Sequence, residues 1–207
     1  MSRSWTVLGA GVFVGEVIDA VESRGDTVAA VVLNVEPAPG VRERIPAGIE
    51  VLPLERFAPR SDRYCFGFQD PAKDALLEAL RRHRLEYAPL VHAGASVSPR
   101  ATLGQGCFIG AGAVIGAHAA IGALCYVVRS ASVGHDTRVG ERCRIGPGAT
   151  IAGRTTLGAR VYVGAGATVI DGLRVADDVV IGAGAVVVGD LPEAGTYVGV
   201  PARPLRR

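Results

Sequence analysis

From Val97 onward every sixth residue is Val, Leu or Ile, through Leu103, Ile109, Ile115 and on to Ile181 and Val187. Sixteen consecutive positions obey this rule, although the three residue types make up only about a quarter of the chain. Chance would place them in one register less than about once in a billion, so the period is structural. The residue after each is usually Gly or Ala. The residue four places on is small or apolar throughout, as at Cys107, Ala113, Ala119, Cys125 and Ala131. One large and one small inward residue per repeat suit a flat strand followed by a sharp bend, with Gly expected to relieve the backbone at the bend. Three such faces, one per repeat, close a triangular coil, and coils stack at the strand spacing of roughly 4.8 Å. The pattern predicts a parallel β-helix over residues 97–191, with a little over five coils. Its prism is filled by aliphatic side chains, each worth about 1.5–3 kcal/mol on burial.

The first 90 or so residues keep a different rhythm. Trp5 to Leu8 is a short apolar strand, Gly9-Ala10-Gly11 a turn, and Val12 to Glu22 a helix with Val14, Val17, Ile18 and Val21 on one face. Thr27 to Leu33 is a continuous β-branched run suited to a strand buried on both sides. Loops fall at Pro37–Gly40 and Pro46–Gly48, and Tyr64 to Phe68 is another strand. Gln69 or Asp70 caps a helix with Pro71 in its first turn, running to about Arg84. The division expected is a small α/β domain with a parallel sheet over residues 1–90, then the β-helix and a tail over 91–207.

Nearly half the residues are apolar, enough for a packed core, and the formal charge is only +2. Basic and acidic residues are interspersed, which argues against nucleic acid and for a small-molecule or protein partner. The first apolar run, Trp5 to Val14, is too short to span a membrane and is soon followed by Glu16 and Asp19. The expected compartment is the cytoplasm, where the four cysteines are thiols. Cys107, Cys125 and Cys143 recur once per three repeats and so stack in one inward column. They serve as small core residues, although stacked thiols also have the spacing for a disulfide, redox or metal role.

Among the histidines, His135 lies two residues past the inward Val133, near a coil corner and pointing out. An imidazole there suits a general base near neutral pH, or is simply a solvated corner residue. Asp136, beside it, is by residue type an ordinary turn residue. His118, about one coil earlier, falls near the same edge and is a candidate substrate or cofactor contact. His83 belongs to a basic helix face, and His92 is structural or lines a cleft. Gly9-x-Gly11-x-x-x-Gly15 between strand and helix reads as a phosphate cradle or as tight packing.

The hexapeptide repeats, the Gly9-Ala10-Gly11 turn, "SASVGHDTRVG" at 130–140 and "TYVGVPARP" at 196–204 together resemble one family over nearly the whole chain. It is the bacterial sugar O-/N-acyltransferase family of the hexapeptide-repeat superfamily, which includes sialic acid O-acetyltransferases and UDP-4-amino-sugar N-acetyltransferases. The resemblance implies a Rossmann-like α/β N-terminal domain, a left-handed parallel β-helix, a homotrimer and acetyl-CoA as co-substrate. The acceptor implied is a sugar or nucleotide-linked amino sugar, acylated on an amine or hydroxyl. It implies His135 as general base and Asp136 as its acidic partner. Gly153, Ala165 and Ala183 fall where the family's backbone contacts to pantetheine lie, and are otherwise simply repeat residues. Arg144 stands where relatives carry a second histidine near the thioester. It polarises the carbonyl, binds phosphate, or does neither. Gly9 and Gly11 are implied to hold the diphosphate. There the family's "GHG" is replaced by Val12-Phe13-Val14, and its acidic pair after the second strand by Asn34-Val35. Phe13 then suits an apolar acceptor site, and Asn34 stands in for an acid. Two other functions compete: a non-catalytic trimeric binding module, and a zinc hydrolyase of carbonic anhydrase type. The latter needs three histidines, and only His118 and His135 lie on the coils, so no metal is expected.

Overall fold

The computed structural model describes residues 2–61, 63–68 and 73–205. The chain forms two compact units, Met1–Ala93 and Gly94–Arg207.

In the first unit four parallel strands form one sheet: β1 (Ser4–Ala10), β2 (Thr27–Leu33), β3 (Glu50–Pro53) and β4 (Arg63–Gly67), in the order β3-β2-β1-β4. Helix α1 (Val14–Glu22) buries Val14, Val17, Ile18 and Val21, the face that the sequence pattern selects. It begins at Val14 rather than Val12, because the Val14 amide bonds the Gly11 carbonyl (3.0 Å) in a turn that leaves Val12 70% exposed. Strand β3 has no counterpart in the sequence reading: four residues between Gly48 and a 3₁₀ turn show neither alternation nor a long apolar run. Helix α2 spans Lys73–Leu80 and a 3₁₀ turn, Arg81–His83, follows it. The expected cap residues Gln69, Asp70 and Pro71 lie outside the described residues.

The second unit is a parallel β-solenoid in which each strand pairs with the strand one full coil later, as Ser132 does with Thr150 and Tyr126 with Arg144. Face 1 is the six-stranded stack Ser96–Val97, Val114–Ile115, Ser132–Val133, Thr150–Ile151, Thr168–Val169 and Val186–Val187. Face 2 is the five-stranded stack Thr102–Leu103, Ala120–Ile121, Arg138–Val139, Thr156–Leu157 and Arg174–Val175. Face 3 runs from Phe108–Ile109 through Tyr126–Val127, Arg144–Ile145 and Tyr162–Val163 to Val179–Ile181. The tail strand Gly195–Val198 extends it. The aliphatic column is buried from Ile109 to Val187, and only Val97 and Leu103 at its start are half-exposed.

Two details differ from the sequence reading. The backbone bends not at the residue after each aliphatic one but two residues later. Every such corner from Gly106 to Gly184 has a positive φ, including eight that are not glycine, among them His118, Asp136, Arg142, Arg154 and Arg160. The glycines after the aliphatic residues instead permit coil stacking. A Cβ on Gly122 would lie 2.6 Å from the Gly140 carbonyl carbon, and one on Gly164 would lie 2.5 Å from the Ala183 nitrogen. The stacked cysteines are free thiols. Each donates to a carbonyl of the next coil: Cys107 to Gly122 (2.9 Å), Cys125 to Gly140 (3.0 Å) and Cys143 to Gly158 (3.1 Å). Burial pushes the Cys65 thiol of the first unit up, and all four cysteines are buried, so none of them is a ready nucleophile by exposure.

These two kinds of glycine should respond differently to substitution. Gly122→Val forces side-chain atoms against the next coil's backbone and should cost about 3 kcal/mol. Gly184→Ala meets nothing within 4 Å and should cost only about 1 kcal/mol for the left-handed backbone. Chemical denaturation of the two variants checks the order.

Candidate active site at a coil corner

His135 and Asp136 stand at the corner where face 1 turns into face 2. The Asp136 amide bonds the Ala117 carbonyl of the preceding coil (2.9 Å), and the His135 carbonyl accepts from the Arg154 amide of the next (2.8 Å). The corner is thus fixed from both sides. Asp136 adopts φ 56°, a conformation that short acidic side chains tolerate. Both side chains remain more than half exposed.

His135 Nδ1 lies 2.8 Å from Asp136 Oδ2. With the carboxylate as acceptor, Nδ1 carries the proton and Nε2 keeps its lone pair. Hydrogen bonding from His135 holds the Asp136 carboxyl below the usual range, and the charges of His135, His118 and Arg154 act in the same direction.

Beneath the ring lies Gly153. A Cβ there would fall 2.7 Å from His135 Nε2 and 2.9 Å from Cε1. The absent side chain therefore makes the seat on which the imidazole lies, a role that neither the repeat nor the spacing announces. Thr137, next in the chain, points inward and donates to the Ala152 carbonyl (3.0 Å), tying the segment after the dyad to the core. His118 occupies the same corner one coil earlier, φ 60°, and is exposed.

The other sequence-selected residues are not at this corner. Ala165 and Ala183 lie at the corner between faces 3 and 1, where Gly148, Gly166 and Gly184 carry positive φ, and the Ala and Gly residues there are exposed. Arg144 projects from face 3 with its guanidinium over the Tyr162 ring (5.2 Å). One full face separates each of these positions from His135 within a single chain.

In the first unit, Gly9 and Gly11 pack on Phe68. A Cβ on Gly9 would overlap the ring, and one on Gly11 would lie 3.1 Å from Phe68 Cβ. The Gly11 amide is bonded to the Gly67 carbonyl (3.1 Å). Close packing thus accounts for both glycines. Phe13 is the half-buried N-cap of α1. Arg44, which no sequence pattern singles out, donates to the Val12 carbonyl (3.2 Å) and brings a positive charge to this turn. Asn34 is half-buried at the end of β2, in a cleft of about 300 Å³ whose other lining includes Glu36, Arg42, Pro53 and Glu55. Among the described residues no group of three or more His, Cys, Asp or Glu side chains is arranged to hold a metal ion.

No protein-family model and no curated protein sequence matches the chain. Solved structures do. A perosamine N-acetyltransferase from Caulobacter crescentus, in complex with CoA and GDP-perosamine, is 31% identical; the match covers 99% of this chain and 97% of that one, with a TM-score of 0.86. The acetyltransferase domain of PglB from Neisseria gonorrhoeae, in complex with acetyl coenzyme A, is 28% identical over 99% of this chain and 100% of that one, with a TM-score of 0.86. WeeI from Acinetobacter baumannii, at 20% identity and a TM-score of 0.82, shares the fold, covering 97% of this chain and 100% of that one. With the Caulobacter relative matching at 31% identity over 99% of the chain, and a His–Asp dyad on a hexapeptide solenoid, the chain belongs to the hexapeptide-repeat sugar acyltransferases.

Proposed function

We propose that the protein transfers an acetyl group from acetyl-CoA to the amine of a nucleotide-linked amino sugar, with a sugar hydroxyl as the alternative nucleophile. The observation that carries this reading is the exposed His135–Asp136 pair, its ring seated on Gly153. Asp136 accepts the hydrogen bond from Nδ1–H, so the Nε2 lone pair is free to take a proton from the acceptor as the acceptor's nitrogen attacks the thioester carbonyl. The C–N bond forms, the tetrahedral intermediate collapses with loss of the C–S bond, and the imidazolium returns its proton to the departing thiolate. Asp136 stabilises that imidazolium without itself becoming protonated.

The corner between faces 3 and 1 suits the pantetheine arm. Ala165, Gly166, Ala183 and Gly184 expose backbone there with almost no side chain to hold an extended ligand away. This edge and the dyad edge flank face 1, whose outward side chains are Ser96, Val114, Ser132, Thr150, Thr168 and Val186, all uncharged. In a homotrimer with face 1 toward the threefold axis, the dyad corner of one copy meets the Ala165–Ala183 corner of the next. Such a trimer gathers residues that one prism keeps a face apart. Arg144, stacked on Tyr162, is then a candidate for the CoA phosphates rather than for the thioester.

For the acceptor, the Gly9–Gly15 turn opens α1, and its helix N-terminus with Arg44 suits a diphosphate. The cleft with Asn34 lies at the carboxyl ends of β2 and β3, where open parallel sheets bind nucleotides. The strand order β3-β2-β1-β4 supports reading the unit as Rossmann-like. The relatives support a left-handed coil and an acceptor of the GDP-perosamine kind. The cytoplasm is the compartment an acyl-CoA-dependent step implies.

His135→Ala should leave the fold intact and lower acetyl transfer by about 10²–10⁴-fold, with Asp136→Ala costing less. Gly153→Ala should displace the ring and cost at least about tenfold with little change in melting temperature. Full activity in either His135→Ala or Gly153→Ala, in a steady-state assay against an accepted amino sugar, refutes the dyad as the base. Light scattering should give the mass of three chains; a stable monomer at micromolar concentration counts against the shared site. Calorimetry with GDP and UDP tests the acceptor. No heat from either at millimolar concentration, with a nucleotide-free amine still acetylated, removes the nucleotide and leaves the transfer standing.

A further inference from the structure

Among the described residues of the solenoid, the only fully buried serines or threonines are Thr137 and Thr155. Both stand in one inward column, which carries Ala101 and Ala119 in the coils before them and Leu173 and Leu191 in the coils after. A buried hydroxyl costs free energy unless it is bonded, and alanine or leucine fills the same column without one. The two hydroxyls fall in the coil of the dyad and in the coil that follows it. Packing alone does not explain that placement, but the bonds they make do. Where the column is alanine, the carbonyl three residues earlier is satisfied within its own turn: Ser98 accepts from the Ala101 amide (3.0 Å) and Gly116 from the Ala119 amide (3.3 Å). The equivalent carbonyl in the coil after the dyad, that of Ala152, accepts the hydroxyl of Thr137 (3.0 Å).

That peptide leads directly into Gly153, the seat of the imidazole. On the other side of Gly153 the Arg154 amide bonds the His135 carbonyl (2.8 Å), and the Gly153 carbonyl accepts from the Gly172 amide (3.0 Å). Thr137 Oγ1 also lies 3.5 Å from the His135 carbonyl. The coil that bears the ring therefore holds the residue under the ring from both sides, through Thr137 before it and His135 after it. Glycine has the freest backbone of any residue. The ring lies so close that a Cβ on Gly153 would fall 2.7 Å from Nε2, and a small tilt of the 152–153 peptide moves the surface on which it rests. We propose that Thr137 is a positioning residue: its buried hydroxyl, by holding the Ala152 carbonyl, fixes the Gly153 backbone where it keeps the His135 ring turned to Asp136.

The inference rests on the acetyl-transfer reading, and the test separates the two. Thr137→Val removes the hydroxyl at nearly constant shape. Thr137→Ala installs the residue that the column carries at 101 and 119, and decides the matter if valine disturbs folding. Thr137→Ser keeps a hydroxyl. Thr155→Val is the comparison: it removes an equally buried hydroxyl, bonded to the Ile170 carbonyl (3.1 Å) one coil further on. All four are compared with the wild type in the full-length protein, by thermal melting, by kcat and KM, and by nitrogen-15 NMR of the His135 ring without substrate. Loss of either hydroxyl should lower the melting temperature by a similar amount, roughly 2–6 °C. Only Thr137→Val and Thr137→Ala should lower kcat, about threefold to tenfold, with KM little changed. In those two variants the signals of the two ring nitrogens should draw together as the tautomers mix. Thr137→Ser should restore most of kcat. An unchanged kcat in folded Thr137→Val or Thr137→Ala protein overturns the proposal. So does an equal loss of kcat in Thr155→Val, or a loss that serine does not restore. A wild-type protein that acetylates no acceptor, while the ring signals respond to Thr137→Val as expected, overturns the acetyl-transfer reading instead.

Discussion

Backbone-to-backbone stacking of successive coils is the constraint on which this molecule depends. Each strand of two residues is too short to be stable alone, and it gains its partners only from the coils above and below. Closeness of approach then dictates residue type. Where the chain leaves each strand, a Cβ meets the next coil's backbone at about 2.5–2.8 Å in Gly104, Gly134 and Gly158, so glycine recurs there. At the corner the backbone must turn left-handed, but the side chain points outward into space. That position accepts His, Asp, Arg, Ser or Leu as readily as the lattice of hydrogen bonds allows. The corner is therefore a recurrent position that is both rigid and free, and the dyad stands there.

The dyad uses this freedom. Asp136 is in the left-handed corner, His135 is the residue before it, and hydrogen bonds to both neighbouring coils fix their backbone. Two problems of an exposed catalytic pair, rotamer choice and side-chain wandering, are met by the following coil and by the pair's own hydrogen bond. Gly153 gives the imidazole a flat surface, and the Asp136 carboxylate accepts the hydrogen bond from Nδ1. Inward polar groups follow the same geometry. Thr137 and Thr155 donate to the carbonyls of Ala152 and Ile170, as the cysteines do to theirs, so a buried hydroxyl or thiol is satisfied by a carbonyl of the coil ahead.

The first unit obeys different physics. Its parallel sheet is held by apolar strands buried on both sides and by α1, and its glycine turn is shaped by Phe68. The polar features that suit a nucleotide, Arg44 at the helix start and Asn34 in the cleft, come from loops with no periodicity. This is the usual division of labour between a packed scaffold and its connecting segments.

By itself the sequence determined the solenoid, because a buried prism demands an aliphatic residue every six positions and tolerates no exception from Val97 to Val187. It also determined α1, β2 and the pairing of His135 with Asp136 as neighbours in the chain. It did not reveal β3, whose four residues take their conformation from β2 beside them. It placed the backbone bend at the wrong glycine, because the repeat marks where residues must be small without saying whether the cause is a neighbouring coil or a left-handed φ. Only the tertiary structure decided that Gly153 seats the imidazole and that Arg144 stacks on Tyr162. Those relations join residues on different coils or different faces of the prism. They depend on side-chain rotamers and on which way each corner turns; a six-residue period shows which residues share a column but carries neither of these.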